Sequence, residues 1–421
     1  MDKNTGPSWF RSRRILLPKL ISTVLLLFLL GCQPTQTTAV VSFAFAGDAA
    51  ELAAYQTLID AFEQQHPDIT IQLRHSPSRQ DFQQKLVTMF DGGQAPDVVL
   101  LNYRRFARFA ADGDLRPIGP FSTELELDQA AFYPIALDAF TYQNELWCVP
   151  QNISSLVVYI NQDLFDAAGV DYPAADWSWD ELLQTAESLT VDENFGVGIE
   201  PNLYRLAPLV WQAGGTLYEP DIGLLPAIPK NVEALTWLAE LQTVHEVAPD
   251  ALAAESLSLE DRFTAGRLAM FFDSRRATPT FRAAADFRWD VVPLPRGERT
   301  AGVLHSDGYC LGNEPTAETL TFIRFAASAT GQTILAQTGR TVPSLISVAE
   351  SDAFLDSSQL PASSQVWLDG VDHLELVPLH PAWIQVEEIA SAEIEEAFYG
   401  RISPSEALIR IEKQAKPLLN P

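Results

Sequence analysis

The sequence predicts an α/β protein built as two lobes, and three observations carry that expectation. Alternating apolar residues and helical spacings take turns along residues 41–101, and the run closes on Val98-Val99-Leu100-Leu101. A strand apolar throughout suits a sheet covered on both faces. Once a cleavable N-terminal segment is removed, about 390 residues remain, more than one ordinary core accommodates. Residues 147–164 then read as a buried strand halted by Pro150, a polar patch Gln151-Asn152-Ile153-Ser154-Ser155, and a second buried strand over 156–160. Proline cannot join a central ladder. This stretch is therefore expected to cross between the lobes as a hinge, with its polar patch facing a cleft.

The chain opens on Arg11, Arg13, Arg14 and Lys19 ahead of an apolar segment over 20–30. That segment is short of the roughly 17–25 residues a membrane span needs and matches the core of a secretory signal. It ends in Leu29-Leu30-Gly31-Cys32, which resembles the lipobox of bacterial lipoproteins. Cys32 is the expected lipidated residue, with residues 1–32 as signal peptide and 33–39 as a polar tether. An ordinary signal peptide or a retained short span are the alternatives. Ser12-Arg13-Arg14-Ile15-Leu16-Leu17 is also similar to a twin-arginine signal, which leaves the export route open. Loss of residues 1–31 removes five positive charges and one negative, taking the formal net charge from −27 to −31. Such a surface repels nucleic acid and anionic headgroups.

In order after the tether, Val41, Phe43 and Phe45 predict a first strand with one buried face. Gly47-Asp48 turns into a helix whose apolar side carries Leu52, Tyr55, Leu58, Ile59 and Phe62. Ile69, Ile71 and Leu73 predict a second strand; Phe82, Leu86, Met89 and Phe90 predict a second helix, stopped at Asp91-Gly92-Gly93. Ser178-Trp179-Asp180-Glu181 and Ser403-Pro404-Ser405-Glu406 both read as capping boxes opening helices. Gly266 ends a helix before the strand over 268–272, and Trp179, Trp237 and Trp289 are expected in the core. Cys148 and Cys310 lie near the inferred crossings; they could pair outside the cytoplasm or remain buried thiols.

Several segments, in their order and spacing, resemble one family over some 370 residues. They are GQAPDVVLLN (93–102), YINQDLFDAAGV (159–170), WSWDELLQTAESL (177–189), WQAGG (211–215), RFTAGRLAMFF (262–272), WDVVPLP (289–295), FIRFAAS (322–328) and AFYGRISPSEALIRI (397–411). The resemblance is to the extracellular solute-binding proteins of bacterial ABC importers, in the carbohydrate-binding, maltose-binding-protein-like group. It implies two α/β lobes, each around its own sheet, roughly 40–149 with 305–370 and 150–304 with 371–421, and a second crossing near 301–304. It implies a monomeric, lipid-anchored extracytoplasmic protein that closes on a sugar and delivers it to a membrane permease, with no cofactor, no metal and no catalysis. A cell-surface glycan-binding lipoprotein without transport, or an extracellular glycoside hydrolase, are the rival readings.

A sugar offers hydroxyls at its rim and an apolar C–H face, so its site needs placed polar groups and planar rings. Ligands of α/β sheets lie beyond the carboxyl ends of strands. Together with the resemblance, that rule nominates Asp48; Asn102, Tyr103, Arg104 and Arg105; Gln151, Asn152 and Ser154; and Asn202, Tyr204 and Trp211. It adds Asp273, Arg275 and Arg276; His305, Asp307 and Tyr309; and Trp383. Tyr204 and Trp383 are the expected stacking surfaces. Where relatives carry Gly-x-Trp after the strand over 268–272, this chain has Asp273-Ser274-Arg275-Arg276. Guanidinium in place of a ring favours bidentate recognition and raises the expectation of an anionic sugar. There is no Gly-x-Ser-x-Gly elbow, His-Glu-x-x-His helix or phosphate loop.

Overall fold

The computed structural model describes residues 38–219 and 223–419. The signal segment, Cys32 and nearly all of the tether lie outside those residues. Two main sheets organise the chain. The first takes β1 (Ala39–Ala46), β2 (Ile69–Ser76), β3 (Val98–Asn102), β4 (Cys148–Pro150) and β9 (Asp307–Leu311), in the order β2-β1-β3-β9-β4. The second takes β5 (Leu156–Asn161), β6 (Phe195–Gly198), β7 (Leu268–Ser274) and β8 (Trp289–Val292), in the order β8-β5-β7-β6.

In the first sheet β1 runs parallel to both β2 and β3, while β9 runs antiparallel to β3 and β4. Parallel neighbours require crossover helices, and α1 (Ala49–Gln65) and α2 (Arg79–Asp91) supply them. Both start on side chains the sequence offers as caps: Asp48 accepts from the Glu51 amide and Ser78 from the Asp81 amide. β1 is buried on both faces, not one, because Ser42 and Ala44 are covered as well as Val41, Phe43 and Phe45. Phe43 packs edge-on against Tyr55 of α1, at 5.3 Å between centroids.

After α3 (Tyr103–Ala111) has closed the first part of the chain, α4 (Trp179–Leu189) packs on β6 and β7 of the second sheet, while α5 (Leu203–Gln212) and α6 (Pro229–Thr243) pack on one another. The Ser178–Glu181 capping box forms in both directions. At Ser403 only the forward half forms, because the Glu406 carboxylate is taken by Arg410. Gly266 adopts φ +72°, a left-handed turn that a β-carbon would disfavour. Trp179 stacks on Trp237 at 4.7 Å and Trp289 is fully buried, as expected of core residues. Two late helices, α7 (Trp383–Phe398) and α8 (Pro404–Leu419), pack against α5 and α6.

The polar patch does link the sheets: β4 sits at the edge of the first, β5 in the interior of the second. A second strand of chain runs beside it, with Ser155 bridging Leu304 and the His305 amide donating to the Ser154 carbonyl at 2.7 Å. A third joins them, since the Ile153 amide donates to the Val342 carbonyl at 3.0 Å and Asn152 bridges Pro343. Cys148 and Cys310 face one another across β4 and β9 and form a disulfide.

Candidate ligand-binding cleft

Strand ends from both sheets converge on one cavity of about 310 Å³ beside the crossings. From the first sheet β3 ends at Asn102 and β9 begins at Asp307. These residues are direct partners in the antiparallel ladder, so their side chains are held together. Asn102 donates to Asp307 at 3.1 Å, and Asn152, from the polar patch, donates to the other oxygen at 3.4 Å. Asn152 also donates to Gln151 at 2.7 Å and accepts the Asp307 amide at 3.2 Å. The adjacent strands therefore present one carboxylate whose remaining lone pairs face the cavity.

From the second sheet β7 brings Asp273, one residue before its end, and that side chain is 1 % exposed. One of its oxygens accepts from Arg205 at 3.2 Å and the other from Arg276 at 2.6 Å. Arg276 also meets Glu260 at 3.2 Å. The carboxylate of Asp273 raises the Arg276 pKa above its ordinary value, with burial working against it. On the first-lobe side one terminal nitrogen of Arg340 donates to both Asp48 oxygens, at 3.0 and 2.8 Å, and the other donates to Glu51 at 2.7 Å.

Arg104, at the start of α3, joins the two halves: it pairs with Glu387 of α7 at 2.6 Å. Its guanidinium lies 4.0 Å from the centroid of the Tyr204 ring. His305 covers the same ring at 4.2 Å, and the Tyr204 hydroxyl donates to the Leu304 carbonyl.

Asn102, Arg104, Gln151, Asn152, Ser154, Asn202, Tyr204, Asp273, Arg276, His305 and Asp307 all line the cavity. Other nominees do not. Tyr103 is fully buried, with its hydroxyl accepting from the Val377 amide. Tyr309 lies within the sheet core, where burial raises its pKa. Trp211 lines a separate surface groove with Arg299 and Glu375. Asp48 stands behind the wall, where it holds Arg340. Arg105 faces a small side cavity next to the main one.

Two nominees change meaning. Arg275 is enclosed between Phe354 and Trp367, donates to the Gly339 carbonyl and Ser364, and is pushed by burial down to about 9. It braces the crossings and offers nothing to a ligand. Trp383 is 0 % exposed and belongs to the core. Tyr204 is no free stacking platform either, because Arg104 and His305 occupy its ring.

Among the lining residues that escaped the sequence reading are Glu51, Arg205, Arg340, Glu387 and Ser391. Glu387 and Ser391 recur four apart on one face of α7, a helical spacing that the neighbouring Trp383 obscures. Nothing local marks Arg340, which finds Asp48 only through tertiary folding.

Trp383→Ala is expected to cost about 3–5 kcal/mol of stability, as for other large aromatic truncations, while the folded variant keeps its ligand affinity within about twofold. Denaturant melts and calorimetric titration check the pair of outcomes; a selective loss of binding would restore Trp383 to the site. A pH effect follows from Asp48. Burial pushes its pKa up, but the Arg340 guanidinium and the Glu51 amide outweigh burial and hold it below the ordinary 3.8. A depressed folded-state pKa contributes stability above the ordinary value, and that contribution is lost as pH falls through the lower folded one. Denaturation followed from about pH 5 down to about pH 2 should show this acid-side loss in the wild type and a flatter profile in Arg340→Met.

Among the described residues no group of three or more His, Cys, Asp or Glu side chains could hold a metal ion, and no helix is long and apolar enough to cross a membrane. The profile of the bacterial extracellular solute-binding proteins matches residues 46–333. A binding protein of Brucella abortus is 23 % identical over 380 residues, covering 87 % of this chain and 89 % of its own. An arabinooligosaccharide-binding protein of Halalkalibacterium halodurans is 22 % identical over 215 residues, 50 % of this chain and 47 % of its own. Among solved structures, an ABC substrate-binding protein of Listeria monocytogenes in complex with cycloalternan superposes with a TM-score of 0.83 at 25 % identity, covering 90 % of this chain and 99 % of that one. With two sheets joined by crossings and a polar cavity between them, the chain belongs to the bacterial extracellular solute-binding protein family and has its two-lobed α/β fold.

Proposed function

We propose that this protein captures a sugar between its lobes and delivers it, unaltered, to the transmembrane subunits of an ABC importer. The observation that supports this most is the cavity's make-up: strand ends from both sheets contribute hydroxyl-binding side chains, and every arginine among the lining residues is already matched by an acid of the protein. Four arginines and four carboxylates line it, and Arg104, Arg205, Arg276 and Arg340 each pair with an acid of the protein. Buried polar groups so satisfied present directional donors and acceptors with no net charge to attract an anion. A neutral sugar therefore fits better than a sugar acid or phosphate. The two arginines that suggested an anion are otherwise engaged, Arg275 in the bracing and Arg276 with Asp273 and Glu260.

Closure is the working motion: contacts from both lobes to one ligand bias an open–closed balance toward the closed form. The lobes comprise roughly 40–149 with the return from 305, and 150–304 with the C-terminal helices. The last return falls between about 342 and 365, because Trp367 donates to the Ser155 carbonyl and packs against Tyr159 of the second sheet. Cys32 serves as the lipid anchor on the outer side of the membrane, a compartment in which the Cys148–Cys310 disulfide persists. The protein acts as a monomer.

Calorimetric titration against a panel of neutral mono- and oligosaccharides, their uronates and sugar phosphates, with small-angle scattering of each mixture, tests the reading. Tight binding of a neutral sugar accompanied by compaction is expected. Binding confined to the anions, or turnover of the bound sugar, would overturn it.

A further inference from the structure

A pyranose presents one broad C–H face, and a site that holds it tightly lays a ring or another apolar plane beneath that face. Among the described residues lining the main cavity, the apolar and phenolic ones are Ala54, Tyr55, Tyr204 and Leu335, and each is 5 % exposed or less. Tyr55 is turned into the core of the first sheet, 4.7 Å from Phe45 and 5.3 Å from Phe43 between centroids. Tyr204 lies at the cavity wall, but Arg104 sits on its ring at 4.0 Å and His305 at 4.2 Å. Arg104 is fixed there from three sides. Its Nε donates to the Asn102 side chain at 3.1 Å, its Nη1 donates to both Glu387 oxygens at 2.7 and 2.6 Å, and the Tyr204 ring meets its guanidinium. The two charged side chains are 12 % and 24 % exposed, so salt screens the pair only weakly.

We propose that Arg104, held by Glu387, sets the specificity of the cleft: it takes the place on Tyr204 where a sugar ring would stack, so that the preferred guest is an open-chain polyol such as a hexitol. This rests on the sugar-binding reading above and narrows it. A polyol chain carries a hydroxyl on every carbon and no flat apolar face. Each hydroxyl donates one hydrogen bond and accepts two, which suits walls where arginines stand beside carboxylates. Adjacent hydroxyls meet a guanidinium and its carboxylate together, as Arg104 and Glu387 offer, while Asp307 accepts from another. Rotation about the C–C bonds turns each hydroxyl toward a partner, at a cost in freedom that the buried hydrogen bonds offset. A pyranose would instead set its C–H face against charged groups, gaining no stacking and keeping water from them.

The test is calorimetric titration of matched sets: glucitol, mannitol and galactitol, each against its parent hexose and the methyl pyranoside that locks the ring. In the wild type at least one polyol is expected to bind about tenfold or more tighter than its ring-locked partner. Arg104→Ala uncovers Tyr204, and a double variant that adds Glu387→Ala leaves no carboxylate bare beside it. In both, the ratio should fall by about fivefold or more, with the ring-locked sugar gaining affinity, as a recovered ring contact would give. Circular dichroism melts confirm that the variants fold. Ring-locked sugars or oligosaccharides that bind the wild type as tightly as the polyols, or a preference that both variants retain, overturn the assignment and leave the sugar reading standing. Failure of the polyols together with every sugar in the wider panel above removes both.

Discussion

Asp273→Asn is expected to lower folding stability by about 3–5 kcal/mol, the range for breaking a buried ion pair by removing one partner. The substitution keeps the side chain's shape but withdraws the charge that meets Arg205 and Arg276 at once. Arg205 would be left with Glu200 at 3.7 Å and Arg276 with Glu260 at 3.2 Å, both on the more exposed side. Urea denaturation should show the midpoint falling with an unchanged slope, since the unfolded state is not altered. Because both arginines line the cavity, sugar affinity should fall as well in the folded fraction. A variant that melts within about 1 kcal/mol of wild type would mean that the pair is a dispensable surface interaction, as exposed salt bridges are.

Asp307→Ala should weaken sugar binding by at least about a hundredfold and leave stability nearly intact. Its carboxylate is held by two amides, Asn102 and Asn152, so the lone pairs turned to the cavity are available to ligand hydroxyls. Hydrogen bonds to a charged group contribute about 1.5–3 kcal/mol each, and the loss of two accounts for that factor. Asp307→Asn, which keeps an acceptor but loses the charge, should fall between wild type and Ala. Titration of all three proteins with one sugar checks the order; equal affinities would place the ligand elsewhere in the cleft. Asp273 and Asp307 thus separate two roles within one cavity: the first holds its wall in shape, the second meets the guest.

Much of the architecture was legible from residues alone. The crossing at 147–164 could be read because Pro150 must end a ladder, and a run of small polar residues between two apolar strands has no place in either core. The helix starts at Asp48, Ser78 and Ser178 could be read because capping acts within three residues. The strand-end rule also led to Asn102 and Asp273, and the two polar crossings to Asn152 and Asp307, all of which line the cavity.

The partners of those residues were not legible, and for one physical reason: a side chain's role depends on what faces it across hundreds of residues. Arg275 and Arg276 are neighbours in sequence with the same chemistry. One is enclosed by Phe354 and Trp367, and the other is paired with Asp273 at the cavity. Trp383 and Tyr204 both looked like sugar platforms, yet packing turned the first into the core and laid Arg104 and His305 on the second. The sequence by itself determined two α/β lobes, their first crossing and the strand ends that approach one another, because these follow from local periodicity and backbone chemistry. Only the tertiary structure decided which arginines are neutralised and which rings are covered, because charge pairing and burial are set by contacts between segments far apart in the chain.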